Sequence, residues 1–268
     1  MGISFNESTV EKAAIIRLQD LGYAHIPGPD LSPGSTAPER ATHQDVLLPG
    51  RLRTAANRLN TTASPAAIDE AIRQISQSPH PNLIHANRDI YKLLQQGIEV
   101  EVQVNGETRG ETIQLIDWDH PTQNDFLVVN QFTVLDGTYD RRPDIVIFVN
   151  GLPLALFELK NPNDAGADLQ KAWNQLQTYH NQIPALFRYN QLEIISDGLK
   201  AEMGCIFTPK ERFSAWKTAD GRAEIGRTAP VKAPRPFPMS ATRRFRSSHC
   251  SSPTCSMMKA AAPSAGRP

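Results

Sequence analysis

The sequence has little cysteine, no long apolar run and no excess of charge of either sign. Its three cysteines, Cys205, Cys250 and Cys255, form neither an even disulfide set nor a metal-ligand spacing, which is typical of a reducing cytoplasm. No stretch approaches the about eighteen apolar residues that a membrane span needs, and the N-terminus has no basic segment followed by an apolar one. We therefore expect a cytoplasmic protein without disulfides and without a membrane contact.

The balance of charge changes along the chain. Basic and acidic residues both number 28, so the formal net charge is zero. Residues 1–221 carry 19 Lys and Arg against 27 Asp and Glu, whereas residues 222–268 carry 9 against 1. The second segment is rich in Pro, Ser and Arg and has no periodic apolar pattern. We expect one domain over residues 1–221, then a basic tail over residues 222–268 that is disordered or translated out of frame.

The most informative stretch covers residues 141–160, where two apolar, β-prone runs flank the sequence Asn-Gly-Leu-Pro. This pattern predicts a β-hairpin. Asp144 opens the first strand, and Glu158 and Lys160 lie near the end of the second, where the apolar neighbours indicate burial. Because side chains alternate along a strand, Glu158 and Lys160 share one face. A strand built only for packing rarely carries such residues at buried positions.

The loop length decides whether Asp144 joins the other two. A two-residue Asn-Gly loop would place Asp144 opposite Phe157, with Glu158 on the other face. A three-residue loop, residues 150–152, would place Asp144 opposite Glu158 and let Pro153 begin the second strand, where a missing N–H is tolerated. We predict the three-residue loop, or a bulge that gives the same parity.

Two carboxylates and an ammonium group on one patch suit metal-assisted hydrolysis of a phosphodiester. Carboxylates hold hard divalent cations, which prefer oxygen ligands and keep part of their water shell. A nearby Lys can orient the attacking water or offset developing charge. The structural alternative is a solvated Glu158–Lys160 pair on an edge strand, with Asp144 as a turn residue.

The pattern Pro-Asp, a spacer, then Glu-x-Lys after an apolar strand resembles the PD-(D/E)xK nuclease superfamily. The longer string at residues 141–162, RRPDIVIFVNGLPLALFELKNP, resembles the N-terminal nuclease domain of the R subunit of type I restriction enzymes. The resemblance implies an α/β core with a mixed, mainly antiparallel sheet flanked by helices. It also implies that Asp144 and Glu158 bind Mg²⁺ and that Lys160 is the catalytic lysine.

Residues 7–22 predict an amphipathic helix with Ser8 as N-cap and Gly22 at the C-terminal stop. Glu11 has two interpretations. It completes a capping box with Ser8, or it brings an acidic group to the metal site, as a first helix often does in the superfamily. The motif Glu-Ser-x-x-Glu resembles that helix in R subunits and contains Glu7 as well, so the choice between Glu7 and Glu11 stays open.

A helix is predicted over residues 165–182, after the hairpin. Gln175 and Tyr179 are four residues apart and therefore lie on one helical face. They resemble the Gln-x-x-x-Tyr signature of superfamily members related to recombination nucleases, which implies that they orient the site or hold the DNA backbone. The alternative is an ordinary helix with one polar and one half-buried aromatic residue.

The remaining elements are predicted from apolar periodicity and turn residues. Residues 24–65 suggest a surface excursion that contains one short helix, and the strands before the hairpin suggest a sheet that is antiparallel where neighbours pair. The predicted helices cover residues 66–77 and 87–96, and the predicted strands cover residues 98–104, 111–118, 126–135 and 191–196.

The resemblance covers residues 5–221 and implies a nuclease that cuts double-stranded DNA within a complex with methyltransferase and specificity subunits. In that family an ATP-driven motor follows the nuclease domain. This chain has no Gly-x-x-x-x-Gly-Lys-Ser/Thr loop, so we expect ATP binding only in the full-length family protein. The alternatives are a stand-alone nuclease of the same superfamily in DNA repair and a non-catalytic module that docks other subunits.

Overall fold

The computed structural model describes residues 7–77, 80–104, 106–161 and 169–215, so the predicted tail from residue 222 lies outside the described residues. The predicted α/β architecture is confirmed: a mixed seven-stranded sheet is flanked by helices. None of the described helices combines the length and apolar character needed to cross a membrane. The helices are α1 (Glu7–Asp20), α2 (Gly28–Leu31), α3 (Pro49–Leu59), α4 (Pro65–Ser76), α5 (Leu83–Gln96), α6 (Leu169–Gln182) and α7 (Pro184–Phe187).

Eleven strands are described, and seven of them form the central sheet in the order β1-β4-β7-β8-β9-β10-β11. The strands are β1 (Ala24–Pro27), β2 (Ile98–Val104), β3 (Glu107–Ile113), β4 (Phe126–Asn130), β5 (Val134–Asp136), β6 (Tyr139–Arg141), β7 (Ile145–Val149), β8 (Leu152–Leu159), β9 (Leu192–Ser196), β10 (Ala201–Cys205) and β11 (Ser214–Ala215). The pairs β1–β4 and β8–β9 are parallel, and the other neighbours in this sheet are antiparallel.

The hairpin of β7 and β8 occupies the middle of the sheet, and every residue of both strands is buried. Helices cover both faces, which explains why these strands read as nearly continuous apolar runs rather than as an alternation. Glu158 is therefore a core residue, with only 2% of its surface exposed.

The turn of this hairpin differs from the preferred prediction. The loop has two residues, Asn150 and Gly151, at φ +52° and +82°, because Val149 pairs with Leu152. The three-residue loop and the start of the strand at Pro153 were thus wrong. A bulge at Leu154, between the Ile147 and Phe148 pairings, supplies the extra residue. The bulge restores the predicted parity.

Strands β2 and β3 pair with each other in a separate two-stranded sheet and do not extend the central one. Ile98, Val100 and Val102 are buried, whereas Glu99 and Glu101 are exposed, so one face packs against the protein and the other meets solvent. The expected strand over residues 111–118 ends at Ile113. The one expected over residues 126–135 is interrupted at residue 131, which adopts a positive φ, and Asn105 of the expected turn lies outside the described residues.

Residues 24–65 contribute an edge strand and several buried side chains to the core, which corrects the predicted surface excursion. β1 pairs in parallel with β4 at the sheet edge. Leu31, Leu48 and Leu52 have exposures of 1%, 0% and 0%. Leu31 lies outside any periodic apolar pattern, and the Leu48 N–H donates to the Gly151 carbonyl oxygen at 3.0 Å. Tertiary contacts therefore bury a segment whose local sequence resembles a loop.

Helix α1 confirms the predicted C-terminal stop. Gly22 has φ +88°, and the N–H groups of Gly22 and Tyr23 bind the carbonyl oxygens of Gln19 and Leu18. These two backbone hydrogen bonds form a Schellman motif. Ser8 lies inside the helix, so its predicted role as N-cap was wrong.

Replacing Gly151 by Ala is expected to lower the free energy of unfolding by about 3 kcal/mol, because a positive φ and a steric clash add up. A Cβ at residue 151 would lie 2.5 Å from the Leu48 carbonyl oxygen. Gly106→Ala is the matched control, since Gly106 has φ +85° and nothing within 4 Å of its Cβ position. The control should cost about 1 kcal/mol. Urea unfolding measures both, and equal losses would show that the contact with Leu48 is unimportant.

Candidate active site

The candidate site lies at the end of the sheet where β7 begins and β8 ends. Ile145 pairs with Phe157, and continuing this register places Asp144 opposite Glu158. The Leu159 N–H donates to Asp144 Oδ2 at 2.7 Å. The backbone of the second strand therefore holds the carboxylate that opens the first.

Glu158 and Lys160 are in direct contact. Lys160 Nζ donates to Glu158 Oε1 at 2.5 Å, and the exposures of the two side chains are 23% for Lys160 and 3% for Glu158. Glu158 Oε2 is buried and has no hydrogen-bond partner among the described residues. Buried polar atoms are almost always paired, so the unpaired oxygen of Glu158 is unusual and can accept a further bond.

Burial dominates the electrostatics of the site. Burial, followed by the charge of Glu158, raises the pKa of Asp144 to about 8, against the lowering effect of the Leu159 N–H. Burial also raises the pKa of Glu158, although Lys160 and the Tyr179 hydroxyl act in the opposite direction. Burial lowers the pKa of Lys160, but Glu158, Asp144 and Glu7 together more than compensate, so the net shift is upward. The pair of acids is thus expensive to ionise together without a further cation.

The two acidic candidates on α1 have different surroundings. Glu7 Oε1 lies 3.7 Å from Lys160 Nζ, and the charge of Glu7 raises the pKa values of Asp144 and Glu158. Glu11 instead accepts hydrogen bonds from the side-chain amides of Asn130 at 2.7 Å and Gln131 at 2.6 Å. Of the two residues that the sequence left open, Glu7 faces the hairpin residues.

Three residues near the site were missed by the sequence analysis: His25, Asn130 and Gln131. Gln131 has φ +56°, and its N–H binds the Asp144 carbonyl oxygen at 3.0 Å. Asn130 Oδ1 contacts His25 Nε2 at 2.8 Å. Glu11 therefore fixes the residues that enter the left-handed turn beside Asp144. The only signal of Asn130 and Gln131 in the sequence is a polar pair at the end of a buried strand.

Helix α6 contributes Gln175 and Tyr179, which lie on one face as predicted. Tyr179 is 5% exposed, and its hydroxyl lies beside the side chains of Glu158 and Gln175, both of which act on its pKa. Burial raises the pKa of Tyr179, so the hydroxyl stays protonated and can donate to the carboxylate. The first residues of the predicted helix, 165–168, lie outside the described residues.

The donor set of the site fits a hard divalent cation. Among the described residues, no group of three or more His, Cys, Asp or Glu is arranged to hold a metal ion. Asp144 and Glu158 nevertheless supply two carboxylates, and Glu158 Oε2 is buried without a partner within the described part of the chain. Mg²⁺ is commonly held by one or two carboxylates and completes its shell with water and phosphate oxygens. The two acids match that requirement.

The chain is similar to a protein family and to several named proteins. A family model described as the type I restriction enzyme R protein N terminus matches residues 4–212. The chain is 39% identical, over 83% of its length, to the type I restriction enzyme HindI endonuclease subunit of Haemophilus influenzae. It is 32% identical, over 81% of its length, to a protein of Methanocaldococcus jannaschii provisionally named the type I restriction enzyme MjaIXP endonuclease subunit. The chain spans 21% of the length of each of these relatives.

The raised pKa of Asp144 predicts a pH-dependent stability for the metal-free protein. At pH values between 3.8, the ordinary pKa of an Asp, and about 8, Asp144 of the folded protein keeps a proton that the unfolded chain has released. The free energy of unfolding should therefore fall as pH rises through this range, by at most about 1.4 kcal/mol per pH unit for one proton. Asp144→Asn should flatten the slope.

Urea unfolding in the presence of a chelator, between pH 5 and 8, measures this slope. Asp20→Asn, at an exposed carboxylate, is the matched control. The same slope in the parent and in Asp144→Asn would contradict the assigned environment of Asp144.

Proposed function

The chain belongs to the family of type I restriction enzyme R protein N-terminal regions, and we propose that it is the DNA-cleaving domain of such a subunit. Its substrate is the phosphodiester backbone of double-stranded DNA, and its cofactor is Mg²⁺. The observation that carries the proposal is the meeting of Asp144, Glu158 and Lys160 at one end of the central hairpin, with an unpaired buried oxygen on Glu158.

In this proposal Asp144 and Glu158 hold the cation. When bound, Mg²⁺ supplies polarisation of the phosphate and a lowered pKa for a coordinated water. One backbone group and one side chain fix the ligands: the Leu159 N–H donates to Asp144, and the Tyr179 hydroxyl orients Glu158. Preformed ligands lose little orientational freedom when the substrate binds, which favours the reacting geometry.

Lys160 provides the positive charge next to the reacting phosphate. Its ammonium group has three donors, and only part of its surface is buried. It can hydrogen-bond the attacking water or a phosphate oxygen and so offset the negative charge that develops in the transition state. Glu7 lies next to Lys160 and is the upstream carboxylate of the site. Glu11 supports Asp144 through Gln131.

The proposed partners follow from the family. The relatives are named as endonuclease subunits of type I restriction enzymes and are about five times as long as the matched region. We therefore propose that methyltransferase and specificity subunits select the target, and that an ATP-driven motor elsewhere in the R subunit brings DNA to this domain. Apolar residues would stabilise this part of the core equally well. The presence of three ionisable groups there favours a catalytic function over a purely docking one.

Asp144→Ala is expected to lower Mg²⁺-dependent nicking of a supercoiled plasmid by at least about 100-fold, because it removes one of two cation ligands. Gel electrophoresis of the plasmid measures the rate, and a chelator should abolish it. Glu70→Gln removes an acid that pairs with Arg73 on α4, a helix that packs on α3, β2 and β3 rather than at the hairpin end, and should retain the parent rate. Equal rates for the parent and Asp144→Ala, or no Mg²⁺-dependent nicking by the parent, would overturn the proposal.

Glu7→Gln and Glu11→Gln are expected to separate the two acids of α1. Glu7→Gln should lower the nicking rate by at least about tenfold with little change in stability, because Glu7 is half exposed and contacts Lys160. Glu11→Gln should lower the free energy of unfolding by about 1–3 kcal/mol, since one amide then faces a donor instead of an acceptor. Urea unfolding and the nicking rate per folded molecule are measured for both. The reverse pattern would make Glu11 the upstream carboxylate.

A further inference from the structure

A second buried acid, Glu193 on β9, lies under helix α6 and has no part in the chemistry described above. Glu193 is 0% exposed, and its Oε1 is hydrogen-bonded to His180 Nε2. Glu193 Oε2 has no partner among the described residues, and His180 is 8% exposed. A hydrogen-bonded His–Glu pair is therefore enclosed between the helix and the sheet.

The pair is a direct neighbour of the candidate site. In the parallel register of β8 and β9, Leu156 pairs with Glu193 and Glu158 pairs with Ile195. Paired residues of parallel strands share a face, so Glu193 and Glu158 lie on the same face, two residues apart along the sheet. Tyr179 contacts one of these acids, and the adjacent His180 contacts the other.

Aromatic packing fixes the imidazole. The His180 ring lies 4.5 Å from the Phe187 ring and 5.3 Å from the Phe207 ring, measured between centroids. The contact with Phe187 is edge-on, at 82°. The imidazole thus packs against two aromatic rings while its Nε2 is hydrogen-bonded to Glu193.

Stability alone does not account for such a pair. Burial raises the pKa of Glu193, and His180 opposes this shift. Taking a carboxylate out of water is costly, and apolar residues of similar volume often replace a buried polar pair without loss of stability. An apolar contact has no direction, however, whereas a hydrogen bond restricts both the rotation and the axial position of the helix.

We propose that His180 and Glu193 are positioning residues, which hold α6 in the register at which the Tyr179 hydroxyl meets Glu158. Their effect on cleavage rests on the proposed function, but their effect on Tyr179 does not. The pair acts through Tyr179 and touches neither the cation ligands nor the substrate.

Two variants test this inference. Glu193→Gln keeps an oxygen and a nitrogen that can pair with either tautomer of His180, so it should retain the parent nicking rate within about twofold. The double variant His180→Phe/Glu193→Leu leaves no uncompensated buried polar group and is expected to fold. It should lower the nicking rate by about tenfold, as loss of an outer hydrogen-bond partner usually does. Leu192→Ala on the same strand is the control for general destabilisation and should keep the rate per folded molecule.

A cycle with Tyr179→Phe identifies the route of the effect. In the Tyr179→Phe background, the double variant should cause no additional loss of nicking, because the group through which it acts is already absent. Additive losses would overturn the inference, as would a parent-like rate in the folded double variant.

A measurement without cleavage separates this inference from the proposed function. The chain has five tyrosines, so the ring carbon signal of Tyr179 can be assigned in a ¹³C-tyrosine NMR spectrum by its absence in Tyr179→Phe. The signal should shift in the double variant and stay in place in Glu193→Gln. If the parent protein cuts no DNA but the Tyr179 signal still shifts in the double variant, the inference stands and the nuclease proposal is rejected. An unshifted signal in a cleaving protein would reject the inference alone.

Discussion

The candidate site depends on the burial of the Glu158 carboxyl group inside the central sheet. An ionised carboxylate taken from water to a protein interior loses several kcal/mol of solvation, and only Lys160 and Tyr179 compensate it directly among the described residues. The surrounding fold must therefore be stable enough to carry this cost. The full burial of both hairpin strands, at the middle of seven, provides that stability.

The groups around Glu158 come from distant parts of the chain. Glu7 belongs to the first helix, Asp144 and Lys160 to the hairpin, and Tyr179 to a later helix. α6 contacts the sheet on the face of Glu158, whereas Glu11 reaches Asn130, which pairs with Ile145 on the opposite face. No local segment can form the site by itself, so the proposed chemistry and the tertiary fold arise together.

The sequence was sufficient for the fold class and for the meeting of Asp144, Glu158 and Lys160, because alternation and charge placement constrain one another. It could not distinguish a longer loop from a bulge, since both give the same parity. The bulge at Leu154 occurs together with a hydrogen bond from the Leu48 N–H to the Gly151 carbonyl oxygen, and these two residues are far apart in the sequence. β1 was missed because a four-residue edge strand with a proline carries almost no periodic signal. Glu7 and Glu11 lie one helical turn apart, so only the partners of each, Lys160 and Gln131, separate them.

The bulge also has a consequence for how the hairpin can diverge among homologous proteins. Loss or gain of one residue between Leu154 and Glu158 would turn the acid toward the other side of the sheet, where it would face a different helix. Length changes of two residues, or a single change compensated at the turn, would keep its orientation. Evolutionary insertions and deletions in this hairpin should therefore be tolerated in even steps, while the outer strands are free of that restriction.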